Sequence, residues 1–211
     1  AELLANALVP NAKAANLRLA PASTGRVNIF ATEHGVAEID AAKIDAVNAV
    51  HPMVTVATVP KLHRMAARGM VATVKIISYA VPHAVVTRAM AAGDDALRVR
   101  AVSRKRAALI QTQVGDSSDG SKGQRSMAMR FDRLSVTMGP KTVVPHRVDA
   151  LSVALQAAAK DHDILCILTG SATSDLFDVA PEAVRAAGGE VVHYGMPVDP
   201  GSLLFWGHLG D

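Results

Sequence analysis

The chain has 211 residues, 50% of them hydrophobic, which is enough apolar material to bury a sizeable core in one large domain or two small ones. Cys166 is the only cysteine, so intramolecular disulfides and zinc sites built on several thiolates are excluded. No stretch approaches the roughly 18 to 20 uninterrupted apolar residues of a membrane span, and Ala1 to Asn11 carry Glu2 and no basic leader region, so a cytoplasmic protein without membrane contact is expected.

From the N-terminus to about Ser103, short strands and helices mix without regular alternation. Thr24 to Thr32 and Val36 to Ile39 are predicted strands around a His34-Gly35 turn, and Asp40 is placed to cap a helix running toward Val50. Met53 to Val59 and Met70 to Val81 are rich in β-branched residues and punctuated by Pro60 and Pro82; Pro82 is expected to open a helix ending near Gly93. The pattern predicts a smaller α+β region over residues 1 to 103, and its residues disclose no chemistry of their own. Two strings stand out in it, Thr24-Gly25-Arg26-Val27-Asn28 and Ala72-Thr73-Val74-Lys75-Ile76-Ile77. Arg26 borders one predicted strand and Lys75 lies inside the other, where they serve either as ion partners at the edge of the core or as groups reaching a ligand.

Gly93-Asp94-Asp95 and the basic stretch behind it mark a boundary. Residues 1 to 103 hold 11 basic and 7 acidic groups, net +4, whereas residues 104 to 211 hold 11 and 12, net −1, for +3 in all. The basic cluster Arg104-Lys105-Arg106 has no interleaved aromatics, and aromatics are 3% of the chain, so nucleic acid is not an expected partner. From Arg104 onward strand and helix alternate. Ala107 to Gln113 is an apolar strand, and a loop rich in Gly, Ser and Asp from Gly115 to Gly123 leads into a helix reaching about Met138. Lys141 to Pro145 is a short strand, and Asp149 caps a helix through Ala159 whose Leu151, Ala154, Leu155 and Ala158 recur at helical spacing on one face. Ile164 to Leu168 is a continuous apolar run, as in a central strand covered on both sides, with Cys166 inside it as a small hydrophobe. Pro181 lies in the first turn of a helix that stops at Gly188-Gly189, and Glu190 to Tyr194 is again a strand. Three successive strand-helix units predict an α/β domain with a doubly wound, mostly parallel sheet over residues 104 to 211.

Ligands of open parallel sheets bind at the carboxyl ends of the strands, where loops expose amides and helix N-termini attract anions. The loop after Ile164 to Leu168 reads Thr169-Gly170-Ser171-Ala172-Thr173-Ser174-Asp175-Leu176-Phe177-Asp178-Val179-Ala180-Pro181-Glu182-Ala183. It offers a glycine, several hydroxyls and a carboxylate just ahead of a helix; hydroxyl residues are also ordinary in loops, and Asp178 also suffices as a cap. The loop from Val114 to Gly123, with Gly115, Gly120, Gly123, Lys122 and Arg125, is either a second anion-cradling wall or a plain turn. None of the eight histidines shows the His-x-x-x-His spacing of a helical metal site.

The segment from Thr169 resembles the signature of the molybdopterin-binding domain family of molybdenum cofactor biosynthesis, a Thr-Gly-Gly-Thr/Ser loop followed by an Asp-Val-Thr-Pro-Glu-Ala helix start. Thr169, Gly170, Asp178, Val179, Pro181, Glu182 and Ala183 match it. Where the family carries a Lys-Pro-Gly-Lys-Pro loop, this chain has Asp199-Pro200-Gly201-Ser202. The likeness extends over about residues 104 to 211, and the two strings of the first region look like the leading region of some bacterial molybdopterin-binding proteins. It implies molybdopterin or the molybdenum cofactor as ligand, a pterin phosphate held by Thr169, Gly170, Ser171, Thr173, Ser174, Pro200, Gly201 and Ser202, and Asp178 as catalytic residue and magnesium ligand. A homo-oligomer, dimer or trimer, and contact with a molybdoenzyme or another cofactor-pathway protein are expected with it. The family's sheet continues past the position of Asp211 with a further strand and a Pro-Gly-Asn-Pro loop facing the pterin, so either a truncated chain or an incomplete site is expected.

The departures bear on catalysis. A family turn Val-Pro-Asp, whose carboxylate helps hold magnesium, reads Val144-Pro145-His146 here, and magnesium prefers oxygen ligands. Ser171 replaces the second glycine, Asp175 a later one, and Asp199 stands where the family has lysine. A protein that binds or processes molybdopterin, with little or no adenylyl transfer, is expected. The alternatives are a regulatory or scaffold module that keeps the fold, and a transferase or hydrolase acting on another nucleotide.

Overall fold

A computed structural model describes residues 1–115 and 120–210. The chain divides into two units, Ala1–Ser103 and Arg104–Asp211, and each buries its own apolar cluster.

The first unit runs α1 (Glu2–Leu8), β1 (Leu17–Leu19), β2 (Arg26–Ala31), β3 (Gly35–Ile39), α2 (Ala41–Val50), β4 (Val54–Thr58), β5 (Arg64–Met65), β6 (Met70–Ile76), α3 (His83–Gly93) and β7 (Leu97–Ala101). Strands pair antiparallel in the order β1-β2-β6-β4 and, separately, β5-β3-β7. Alternation sorts their faces: Val27, Ile29, Ala72 and Val74 are buried, while Arg26 and Lys75 are exposed. Leu4, Leu8, Ile44, Val47, Val85 and Ala89 of the three helices close over the same cluster. Asp40 caps α2, its carboxylate accepting the Lys43 amide at 3.1 Å. Thr24 and Gly25 lie in a tight turn rather than in the strand, both with positive φ (47° and 74°), joined by reciprocal Ser23 and Arg26 backbone hydrogen bonds. The strand expected to reach Val81 ends at Ile76, because the chain turns at Ser78, whose hydroxyl donates to the Ala80 carbonyl at 2.7 Å.

The register also corrects the expectation that Arg26 and Lys75 are ion partners. The two strings of the sequence pair with each other, Arg26 opposite Lys75 and Asn28 opposite Thr73, and neither cation has an ion pair among the described residues. Asn28 and Thr73 hydrogen-bond at 2.9 Å on that face.

The second unit runs β8 (Arg106–Gln113), α4 (Ser121–Asp132), β9 (Thr137–Met138), β10 (Thr142–Pro145), α5 (Val148–Ala159), β11 (Ile164–Leu168), α6 (Val179–Ala186), β12 (Gly189–Tyr194) and β13 (Phe205–Leu209). It is a mixed α/β arrangement. β8 is buried from Ala107 to Thr112 and pairs in parallel with β10 and β11, and at its start with β9. Ile110 packs with Leu151 and Leu155 of α5 and Ala183 and Val184 of α6. On the opposite face, a side chain on Gly120 would run into Gln111 and one on Gly123 into Leu168, so the start of α4 lies close over that side.

Several expectations are corrected in this unit. The helix expected to reach Met138 stops at Asp132 and is followed by β9. Arg147, not Asp149, precedes α5, and Asp149 sits in its first turn as an ion partner of Arg147 at 2.9 Å. β11 is half-buried throughout, because β8 is the only strand pairing with it among the described residues; β8, not β11, is the central strand. Among the described residues β12 joins no parallel sheet and pairs antiparallel with β13. Cys166 is half-buried accordingly, and burial pushes its thiol above the ordinary range.

Candidate functional site

Because β8, β10 and β11 run parallel, their carboxyl ends share one edge, the edge at which such sheets bind ligands. Three segments meet there: Thr112 and Gln113 at the end of β8, His146 after β10, and Thr169 to Ser174 after β11. Thr112 joins them. It is fully buried, its hydroxyl oxygen accepts the Gly170 amide at 2.9 Å, and the same oxygen lies 2.8 Å from Nδ1 of His146. The His146 amide donates to the Gln113 carbonyl at 2.9 Å. Gly170 is therefore where the second residue after β11 must pass close to β8: a Cβ there would stand 2.6 Å from the Thr112 carbonyl oxygen. The need for glycine arises from strand packing, not from the approach of a ligand.

The rest of the loop is held by its own groups. The Asp178 carboxylate accepts the Ser174 amide at 2.9 Å through one oxygen and the Val179 amide at 2.7 Å through the other. These two amides, first Ser174 and then Val179, hold its carboxyl below the usual carboxylate range; burial opposes them, and nearby His146 adds the smallest lowering contribution. Thr173 is buried, and its carbonyl accepts the Tyr194 hydroxyl at 2.6 Å. Arg185 donates to the Leu176 carbonyl at 2.8 Å and lies over the Phe177 ring. The amides of Ser171 and Ala172 have no partner among the described residues, and both residues are exposed. The amides of Gly170 and Ser174 thus turn inward, to Thr112 and Asp178.

Pro200, Gly201 and Ser202 lie in the exposed connection between β12 and β13, which closes on itself through Met196 to Ser202, Leu204 to Gly201 and Gly195 to Leu204 backbone bonds. The Tyr194 hydroxyl, at the start of that connection, ties it to Thr173. Two shallow concavities of the unit, about 510 Å³ beside Gln156, Lys160 and Gly188 and about 420 Å³ beside Asp132 and Val136, contain none of these residues. In the loop from Val114 to Gly123, residues 116 to 119 lie outside the described residues; Lys122 and Arg125 are exposed on α4.

The donor set at Asp178 does not fit a magnesium ion. The neighbouring titratable group is an imidazole where a second oxygen ligand would be needed, and no group of three or more His, Cys, Asp or Glu that could hold a metal occurs among the described residues. The remaining chemistry, hydroxyls and amides without partners, fits an anionic oxygen.

No family model matches this chain, and no curated protein does. Among solved structures, the crystal structure of the molybdopterin biosynthesis moea protein from Pyrococcus horikosii is similar, with a TM-score of 0.38 and 14% identity over 98% of this chain and 71% of that one. No helix among the described residues is long and apolar enough to cross a membrane.

Sequence reasoning missed Thr112. Its signal was a polar residue at the end of the run Ala107-Ala108-Leu109-Ile110-Gln111-Thr112, but a hydroxyl in that position becomes meaningful only when its partners, 34 and 58 residues away, are known.

Proposed function

We propose that residues 104–211 form a doubly wound domain of molybdopterin-binding type, which holds molybdopterin or the molybdenum cofactor by its phosphate at the carboxyl ends of β8, β10 and β11. The observation that carries this reading is the position of the signature-like segment, Thr169 to Ala183: it begins at that edge and presents the hydroxyls of Thr169 and Ser171 with the unpaired amides of Ser171 and Ala172. Hydroxyl and amide hydrogens are the donors a phosphate group needs, and they are pre-set because Gly170 and Ser174 on either side are fastened to Thr112 and Asp178. Asp178 acts here as the holder of the turn. Its carboxylate occupies the positive end of α6, so the phosphate is bound by residues 171 and 172 and not by that helix terminus.

The role is carriage or handling of the cofactor, without the family's magnesium-assisted adenylyl transfer, since the acidic set is incomplete. On the same reading the protein is cytoplasmic, works as a dimer or trimer, and delivers to or receives from another protein of the cofactor pathway, with residues 1–103 as a separate α+β region. The test is extraction and oxidation of pterin from the purified protein, followed by titration with molybdopterin and an assay of ATP consumption with magnesium. Fluorescent pterin or saturable binding, lost in Ser171→Glu and without ATP turnover, is expected. Absence of any pterin binding overturns the reading, and robust magnesium-dependent turnover overturns the carrier role.

A further inference from the structure

The hydroxyl of Thr112 must place its hydrogen somewhere, and because the residue is fully buried, water does not take it. Its oxygen is already an acceptor for the Gly170 amide, and the acceptor within reach among the described residues is Nδ1 of His146, 2.8 Å away. If Nδ1 carried the ring proton, both nitrogens at this junction would donate to the threonine oxygen and the hydroxyl hydrogen would be orphaned in the interior, which folded proteins avoid. With Nδ1 bare, all three polar groups are paired. The other ring nitrogen then bears the hydrogen. Nε2 lies on the edge of the ring away from Thr112, has no hydrogen-bond partner among the described residues, and belongs to a half-buried side chain at the carboxyl edge of the sheet. Asp178, the nearby carboxylate, accepts the Ser174 and Val179 amides and makes no hydrogen bond with His146 among the described residues.

We propose that Thr112 holds the neutral form of the His146 ring protonated on Nε2, and that this N–H donates to an anionic oxygen of the bound ligand. Thr112 is the positioning residue and His146 the contact. The first half stands on the hydrogen-bond geometry alone; the second rests on the reading of this edge as a phosphate site. A fixed N–H at this edge offers the phosphate a hydrogen bond without supplying charge, and binding proceeds through it without a divalent cation.

The tautomer is read by long-range ¹H–¹⁵N NMR of the full chain at about pH 8, where an ordinary imidazole is neutral; loss of the signal in His146→Ala assigns it. The wild-type ring is expected to show a protonated Nε2 and a bare Nδ1. Thr112→Ser keeps that pattern, and Thr112→Val relaxes it toward the mixture of an unconstrained histidine. Inorganic phosphate, added without magnesium, shifts the Nε2 signal, and His146→Ala weakens phosphate binding about tenfold, the effect of one lost hydrogen bond to a charged group. A proton on Nδ1 in the wild-type spectrum overturns the proposal even if the Thr112→Val protein does not fold, and so does a tautomer that Thr112→Val leaves unchanged. Phosphate binding that requires magnesium, or that leaves the His146 signal unmoved, overturns the ligand half. A protein that retains pterin while His146 stays silent sinks this proposal and leaves the pterin reading standing; the expected tautomer without pterin binding does the reverse.

Discussion

Arg26 of β2 and Lys75 of β6 stand directly opposite each other on the exposed face of an antiparallel pair, with no carboxylate paired to either among the described residues. Like charges in that position disfavour the pairing, and opposite charges favour it, by about 0.2 to 1 kcal/mol. Lys75→Glu is therefore expected to raise stability by an amount of this order in low salt and to lose most of the gain at about 1 M salt, where the screening length is a few ångströms. Urea unfolding at both ionic strengths checks it; a variant less stable than the parent at low salt would mean that the repulsion is relieved by the side chains spreading apart.

Gly170→Ala is expected to destabilise the second unit by about 1 to 3 kcal/mol, the usual range for forcing an extra carbon into a packed site. The added Cβ meets the Thr112 carbonyl, a backbone atom that has little room to move, at 2.6 Å. Chemical denaturation measures the change. Full stability together with lost ligand binding would assign Gly170 to the ligand instead of the strand.

Asp178 is expected to separate capping from charge. Its folded-state carboxyl lies below the unfolded value of about 3.9, so the native state binds fewer protons and the carboxylate contributes stability at neutral pH. That contribution is complete above about pH 5 and is lost as pH falls through the unfolded and then the folded value. Asp178→Asn keeps one capping oxygen but loses the charge and the second acceptor, so it should be less stable than the parent at neutral pH and converge with it toward about pH 2; Asp178→Ala should cost about 0.5 to 2 kcal/mol at neutral pH. Parallel acid-unfolding curves for the parent and Asp178→Asn would be incompatible with a charge contribution from this carboxylate.

Cys166 is expected to react slowly with thiol reagents in the native protein at about pH 8 and rapidly in urea, because burial disfavours the thiolate that reacts. Rates for native and denatured protein, compared with a free thiol, provide the measurement. A native rate equal to that of the free thiol would require β11 to be open to solvent in a way its half-buried side chains do not indicate.

The local patterns carried much of the element structure. Ile164–Leu168 is a strand with the bounds its apolar run suggests, and Asp40 caps α2 as its position before an apolar stretch implies. Such signals depend on residues one to four positions apart, and those distances are set by the covalent chain. What tertiary structure alone decided is which neighbour each strand takes. An apolar run says that a strand is covered, not by what, so β11 is expected at the centre and is found at an edge, and β12 is expected in the parallel sheet and pairs with β13. For the same reason the sequence marks His146 and Gly170 as unusual at their places but leaves them unconnected. The Thr112 hydroxyl that joins them acts through contacts of 2.8 and 2.9 Å between residues far apart in the chain, and proximity of that kind exists only once the parallel strands have aligned their ends.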